Sequence, residues 1–78
     1  MIFQDLPESV LKTIPLRLTI FLSVQNIRVL PTPKSYYLQF VVDIKDIDRS
    51  ILSDFKKEGW TCDLTFEHEY IIRKWVDL

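Results

Sequence analysis

Asp43, Asp46 and Asp48 cluster three carboxylates within six residues of this chain. Three carboxylates at this spacing offer hard oxygen ligands of the kind that hold Mg²⁺ or Ca²⁺. The glycine that bends a calcium loop is missing from the stretch, and acids placed here suit the start of a following helix equally well. Capping is the expected role. Glu67-His68-Glu69 surrounds the only histidine with two acids. In a strand, Glu67 and Glu69 share one side and His68 takes the other, so the three do not converge. A solvated hairpin tip is the expected reading.

Nucleophilic chemistry finds little support. Cys62 is the only cysteine, and no basic residue stands beside it in sequence. It can form no intramolecular disulfide and no cysteine-based zinc site, and it falls in an alternating run where a small buried side chain is expected. The serines lie in no nucleophile elbow. One glycine in 78 residues leaves no room for a glycine-rich phosphate loop. The sequence therefore predicts a protein without catalytic residues, metal or cofactor.

Those groups must be positioned by a small core. Seventy-eight residues suit one domain over 1–78, with 47% apolar and 27% charged residues, the balance of a globular chain rather than a disordered one. A net charge of −1 carries no whole-chain attraction to nucleic acid or to an anionic membrane. The N-terminus lacks the basic and apolar regions of a signal peptide. The apolar-rich run from Ile14 to Leu30 is broken by Pro15, Arg17, Gln25, Asn26 and Arg28, which makes it too polar for a membrane span. A soluble cytoplasmic protein is expected.

The clearest element runs from Asp46 to Trp60. Ile47, Ile51, Leu52 and Phe55 make one apolar helical stripe. Asp46 and Asp48 stand at its positive end, Lys56 and Lys57 at its negative end, and Gly59 where a left-handed cap needs no side chain. Upstream, Asp5-Leu6-Pro7-Glu8 has the form of a capping box before a short helix striped by Leu6, Val10, Leu11 and Ile14, ended by Pro15. Leu16 to Leu30 then alternates apolar and polar residues and predicts a long strand, bulged or broken near Gln25 and Asn26. A loop with Pro31 and Pro33 leads to a second strand, Tyr36 to Ile44, in an antiparallel hairpin. After Gly59, a strand led by Trp60, Cys62, Leu64 and Phe66 turns near Glu67-His68-Glu69 into a last strand, Tyr70 to Val76. A three-residue turn pairs Phe66 with Tyr70, Leu64 with Ile72 and Trp60 with Val76; one long bent strand is the alternative.

The order α-β-β-α-β-β predicts a two-layer α+β domain: a four-stranded antiparallel sheet with two short helices on one face. The helices are expected over Leu18, Ile20, Leu22, Phe40, Val42, Leu64 and Phe66. The other face then collects Arg17, Thr19, Phe21, Ser23, Tyr37, Gln39, Val41, Thr61, Asp63, Thr65, Ile71, Arg73 and Trp75. Aromatic residues with arginine are enriched where proteins bind. The expected binding surface is thus Arg17, Phe21, Tyr37, Ile71, Arg73 and Trp75. It suits a second copy in a homodimer or another protein partner, as in a small regulatory module or an accessory protein of a virus or mobile element. Single-stranded nucleic acid is the alternative, since sheet aromatics stack bases, but nearby acids repel phosphate. A metal-dependent hydrolase on the aspartate cluster is the remaining alternative.

Overall fold

In the computed structural model, which describes residues 3–77, an antiparallel sheet in the order β1-β2-β4-β3 carries its helices on one face. The strands are β1 (Arg28–Pro31), β2 (Ser35–Asp43), β3 (Thr61–Leu64) and β4 (Glu69–Asp77). The helices are α1 (Glu8–Leu11), α2 (Leu16–Ser23) and α3 (Arg49–Lys57), with short 3-10 turns at Phe3–Asp5 and Ile44–Asp46. The fold is the two-layer α+β class that the element order implies. Of the apolar lead Met1–Gln4, Met1 and Ile2 lie outside the described residues. Among the described residues no helix is long and apolar enough to cross a membrane.

Helix α3 forms for local reasons. The Asp48 carboxylate accepts the Ile51 amide at 2.9 Å and the Ser50 hydroxyl at 2.6 Å. These bonds hold its pKa below the usual carboxylate value, the Ser50 bond contributing most. At the other end Gly59 adopts φ 89°. Its amide donates to Lys56 O at 3.1 Å, and the Trp60 amide donates to Phe55 O at 3.0 Å. This pair of bonds is a Schellman cap. It folds Trp60 back so that its ring meets Phe55 edge-on, with centroids 5.0 Å apart. Lys74, reaching over from β4, donates from Nζ to Glu58 O at 2.6 Å and adds a cation at the carbonyl end of the helix.

The segment 16–30 departs from the strand reading. Residues 16–23 are α2, and only 28–31 pair as β1. The alternation of Leu16, Leu18, Ile20, Leu22 and Val24 suits both periods. On a helix it becomes two opposed stripes: Leu18 and Leu22 are fully buried, whereas Leu16, Ile20 and Val24 are 75%, 61% and 76% exposed. Leucine and arginine favour a helix over a strand, and the buried stripe settles the choice by docking on the core. Thr19 and Ser23 hydroxyls return to carbonyls within the helix, those of Pro15 and Ile20. The capping box before α1 is not formed either. Pro7 occupies the cap position, with no side-chain bond, and the helix is one turn long.

The core gathers around four rings. Phe21 of α2, Phe40 of β2, Phe55 of α3 and Trp60 lie with neighbouring centroids between 5.0 and 6.3 Å apart. Leu38 and Ile72 of the sheet, Val10 of α1 and Leu18 of α2 close around them. Ile20, Leu64 and Phe66, expected in this layer, are exposed instead.

The two hairpins meet along β2 and β4, which pair from Ser35↔Asp77 to Asp43↔Glu69. In the second hairpin Leu64 pairs with Tyr70 and Cys62 with Ile72, so the register differs by two residues from the one expected. Residues Thr65–His68 make the turn. The Thr65 amide donates to Glu69 O at 2.8 Å. His68 takes the left-handed conformation, φ 59°, that a glycine or asparagine would ordinarily fill. Phe66 is left fully exposed at the tip.

Candidate functional site

The face of the sheet away from the helices is built by the register. Side chains directly opposite across an antiparallel pair share a face, so each row can be read across the strands. Leu30, Tyr37 and Trp75 form one row. Arg28, Gln39, Arg73 and Thr61 form the next. Val41, Ile71 and Asp63 follow, and Asp43 with Glu69 ends the face.

Of the six residues expected to bind, four belong to this face: Tyr37, Ile71, Arg73 and Trp75. Arg17 and Phe21 do not. Both lie on α2, in the opposite layer. Arg17 donates to Ser50 Oγ at 2.7 Å and pairs with Asp54 at 2.9 Å, pinning α2 to α3. Phe21 packs on Phe40 and Phe55 as a core residue. Strand alternation does not hold on a helix, so Thr19 and Ser23 leave the sheet face with them. Leu30 and Arg28 join the face from β1. Reading Ile27 and Val29 as the buried pair of the β1 segment carries that signal, since Leu30 and Arg28 then point the other way.

The apolar side chains of the face fall in two groups, Leu30–Tyr37–Trp75 and Val41–Ile71, with the Gln39–Arg73 row between them. Tyr37 and Trp75 rings lie 4.8 Å apart and tilted by 49°. Trp75 is 60% exposed and Val41 47%. Tyr37 is oriented by its hydroxyl, which donates to Gln39 Oε1 at 2.7 Å. Arg73 Nη2 donates to Asp63 Oδ2 at 3.0 Å, an exposed pair that leaves its other guanidinium donors free to reach outward. At the acidic end, partial desolvation beside the sheet pushes the Glu69 carboxyl above its ordinary pKa, followed by a hydrogen bond with Glu67 and the charges of Glu67 and Asp43.

The remaining chemical candidates are engaged in structure. Asp43 accepts the Lys45 amide at 3.0 Å and Asp48 caps α3, so two of the three aspartates hold turns. Glu67-His68-Glu69 spans the end of the β3–β4 turn. Cys62 is half-buried on the helix side of β3, and desolvation raises its thiol pKa, which lowers its thiolate fraction. Among the described residues no three His, Cys, Asp or Glu side chains converge as a metal site would require. No known protein family, curated protein or solved structure matches this chain.

Proposed function

We propose that this protein is a non-catalytic binding module of the cytoplasm, regulatory in character, whose working surface is the helix-free face of its sheet. One observation carries the reading: on a sheet face with no described element laid over it, Leu30, Tyr37 and Trp75 form one contiguous apolar row, and Val41 and Ile71 form a second apolar pair beyond the Gln39–Arg73 row. Isolated exposed apolar side chains are ordinary, whereas a contiguous patch edged by polar residues is characteristic of protein-binding surfaces. Its composition also fits, since tyrosine, tryptophan and arginine are the residues that most often dominate such contacts. The partner on this reading is a protein, and the mechanism is burial of the Tyr37–Trp75 pair, with Arg28 and Arg73 fixing orientation.

The test is a comparison of Trp75→Ala with the parent protein. The variant should keep its melting temperature and lose association, read as mass in solution or as capture of a defined partner. Loss of folding in this variant would show that Trp75 is structural and would overturn the reading. The Arg28–Arg73 row beside two aromatics is the one feature that favours single-stranded nucleic acid instead. Binding to an oligonucleotide that weakens steeply as salt rises would establish that alternative, because phosphate contacts release counterions.

A further inference from the structure

The distribution of charge across this face has a symmetry that its apolar content does not. The row Val41–Ile71 lies in the middle of the β2–β4 pair. Two residues to one side stand Arg73 and, on the neighbouring strand beyond β2, Arg28. Two residues to the other side stand Asp43 and Glu69. Each charged row is about 7 Å from the centre at strand rise. A basic row and an acidic row at equal distances on either side of the Val41–Ile71 pair match a copy of themselves turned end over end; Asp63, which ends the central row on β3, is paired with Arg73 of its own chain.

Resting on the reading of the open sheet face as the working surface, we infer that its occupant is a second copy of this chain, related by a two-fold axis that crosses the strands over Val41 and Ile71. A two-fold interface must be self-complementary, because each patch meets its own image. This axis sets Ile71 against Ile71, Val41 against Val41 and, at the edge strand, Asp63 against Asp63, each aspartate paired with Arg73 of its own chain. It places Arg73 of each copy opposite Glu69 of the other, with Arg28 directed toward Asp43. The Tyr37–Trp75 pair of each copy then lies over the other's Ile44–Asp46 turn and β3–β4 turn, closing both ends. An axis along the strands would instead bring Asp43 opposite Glu69 of the other copy, and like charges held face to face disfavour that arrangement. Glu69 is already crowded by Glu67 and Asp43 within its own chain, and an arginine across the interface relieves that repulsion.

The size of the face sets the strength. Two nine-residue strands and two four-residue strands cover about 400 Å² of sheet plane. Stable complexes use about 800 Å² per partner, and transient ones less than about 600 Å². The dimer therefore belongs to the transient class, with a Kd of about micromolar and a dependence on salt.

The test is a charge exchange read by sedimentation over a range of concentrations. Arg73→Glu alone sets acid against acid at both ends of the interface, and Glu69→Lys alone sets base against base. Each variant should weaken the dimer by at least about tenfold, with the circular dichroism spectrum unchanged. An equal mixture of R73E and E69K should dimerise again, because each end then holds one opposite pair. A mixture that stays monomeric overturns this axis. A parent protein that is monomeric throughout, with Trp75 open to a fluorescence quencher, overturns the second copy and leaves the face free for another protein. A dimer indifferent to R73E, E69K and Trp75→Glu but lost in Ile20→Glu places the contact on the exposed stripe of α2, and then the sheet-face reading falls as well.

Discussion

Phe55 joins the two layers of this domain. It is completely buried, and its ring meets Phe21, Phe40 and Trp60 at 5.7, 5.6 and 5.0 Å. Truncation to alanine should cost about 3–5 kcal/mol through lost burial and the cavity left behind. A chain of 78 residues has a total stability of about 4–12 kcal/mol, so Phe55→Ala leaves a marginal fold. Phe55→Leu is the more informative variant. It keeps most of the apolar volume but gives up three aromatic contacts worth about 0.5–1.5 kcal/mol each, and a net loss of about 2–3 kcal/mol is expected. For a domain of this size the urea dependence is about 1 kcal/mol per molar, so the midpoint should fall by about 2–3 M. The titration can be followed by circular dichroism and by tryptophan emission, since Trp60 sits against the altered ring. A midpoint shift below about 0.5 M for Phe55→Leu, or a loss under about 1 kcal/mol for Phe55→Ala, would refute the packing of α3 on the sheet.

Trp60 Nε1 is buried with no hydrogen-bond partner among the described residues, so Trp60→Phe should be nearly neutral. Removing an orphaned donor gains about 1–3 kcal/mol, and the smaller ring gives up a comparable amount of packing; a loss above about 3 kcal/mol by urea titration would contradict this. Asp48, whose pKa is depressed in the fold, contributes stability above its unfolded pKa of about 3.8 that is lost as pH falls, and Asp48→Ala should flatten that acid limb in thermal melts. Glu69 has the opposite sign: its raised pKa makes the charged form unfavourable in the fold, so Glu69→Gln should raise the melting temperature at neutral pH and have no effect well below pH 4.5. Cys62, desolvated on the helix side of β3, should be alkylated by iodoacetamide much more slowly in the folded protein than in urea; equal rates would place the thiol in solvent.

What could be read from the sequence depended on whether the signals were local. Helix α3 was legible because Asp48, the Ile47–Phe55 stripe and Gly59 each point to the same element within a few residues. Strands β2 and β4 were legible from alternation alone. Residues 16–24 were not, because their pattern satisfies both periods and only the packing of Leu18, Phe21 and Leu22 against distant residues decides between them. Arg17 and Phe21 went to the wrong layer for that reason. The β3–β4 turn shows how a register error can be harmless. With no glycine to mark it, its position was read two residues off, but a shift of two preserves the faces, and Ile71, Arg73 and Trp75 kept theirs. A shift of one would have exchanged the working surface for the core.

Helix α2 carries a further consequence. From Leu16 to Val24 it has one charge, Arg17, and neither proline nor glycine. It presents only half of its apolar residues to the core. A short alternating segment of that composition is what stacks into intermolecular cross-β structure once it is free. Its helical form is held from outside, by Leu18 and Leu22 in the core and by Arg17 on α3. Any perturbation that loosens those attachments releases a segment whose next available partner is the same segment of another molecule, with Arg17 as the single gatekeeper against it. Aggregation of this chain is therefore expected to depend on how tightly α2 is docked rather than on the strands already paired in the sheet.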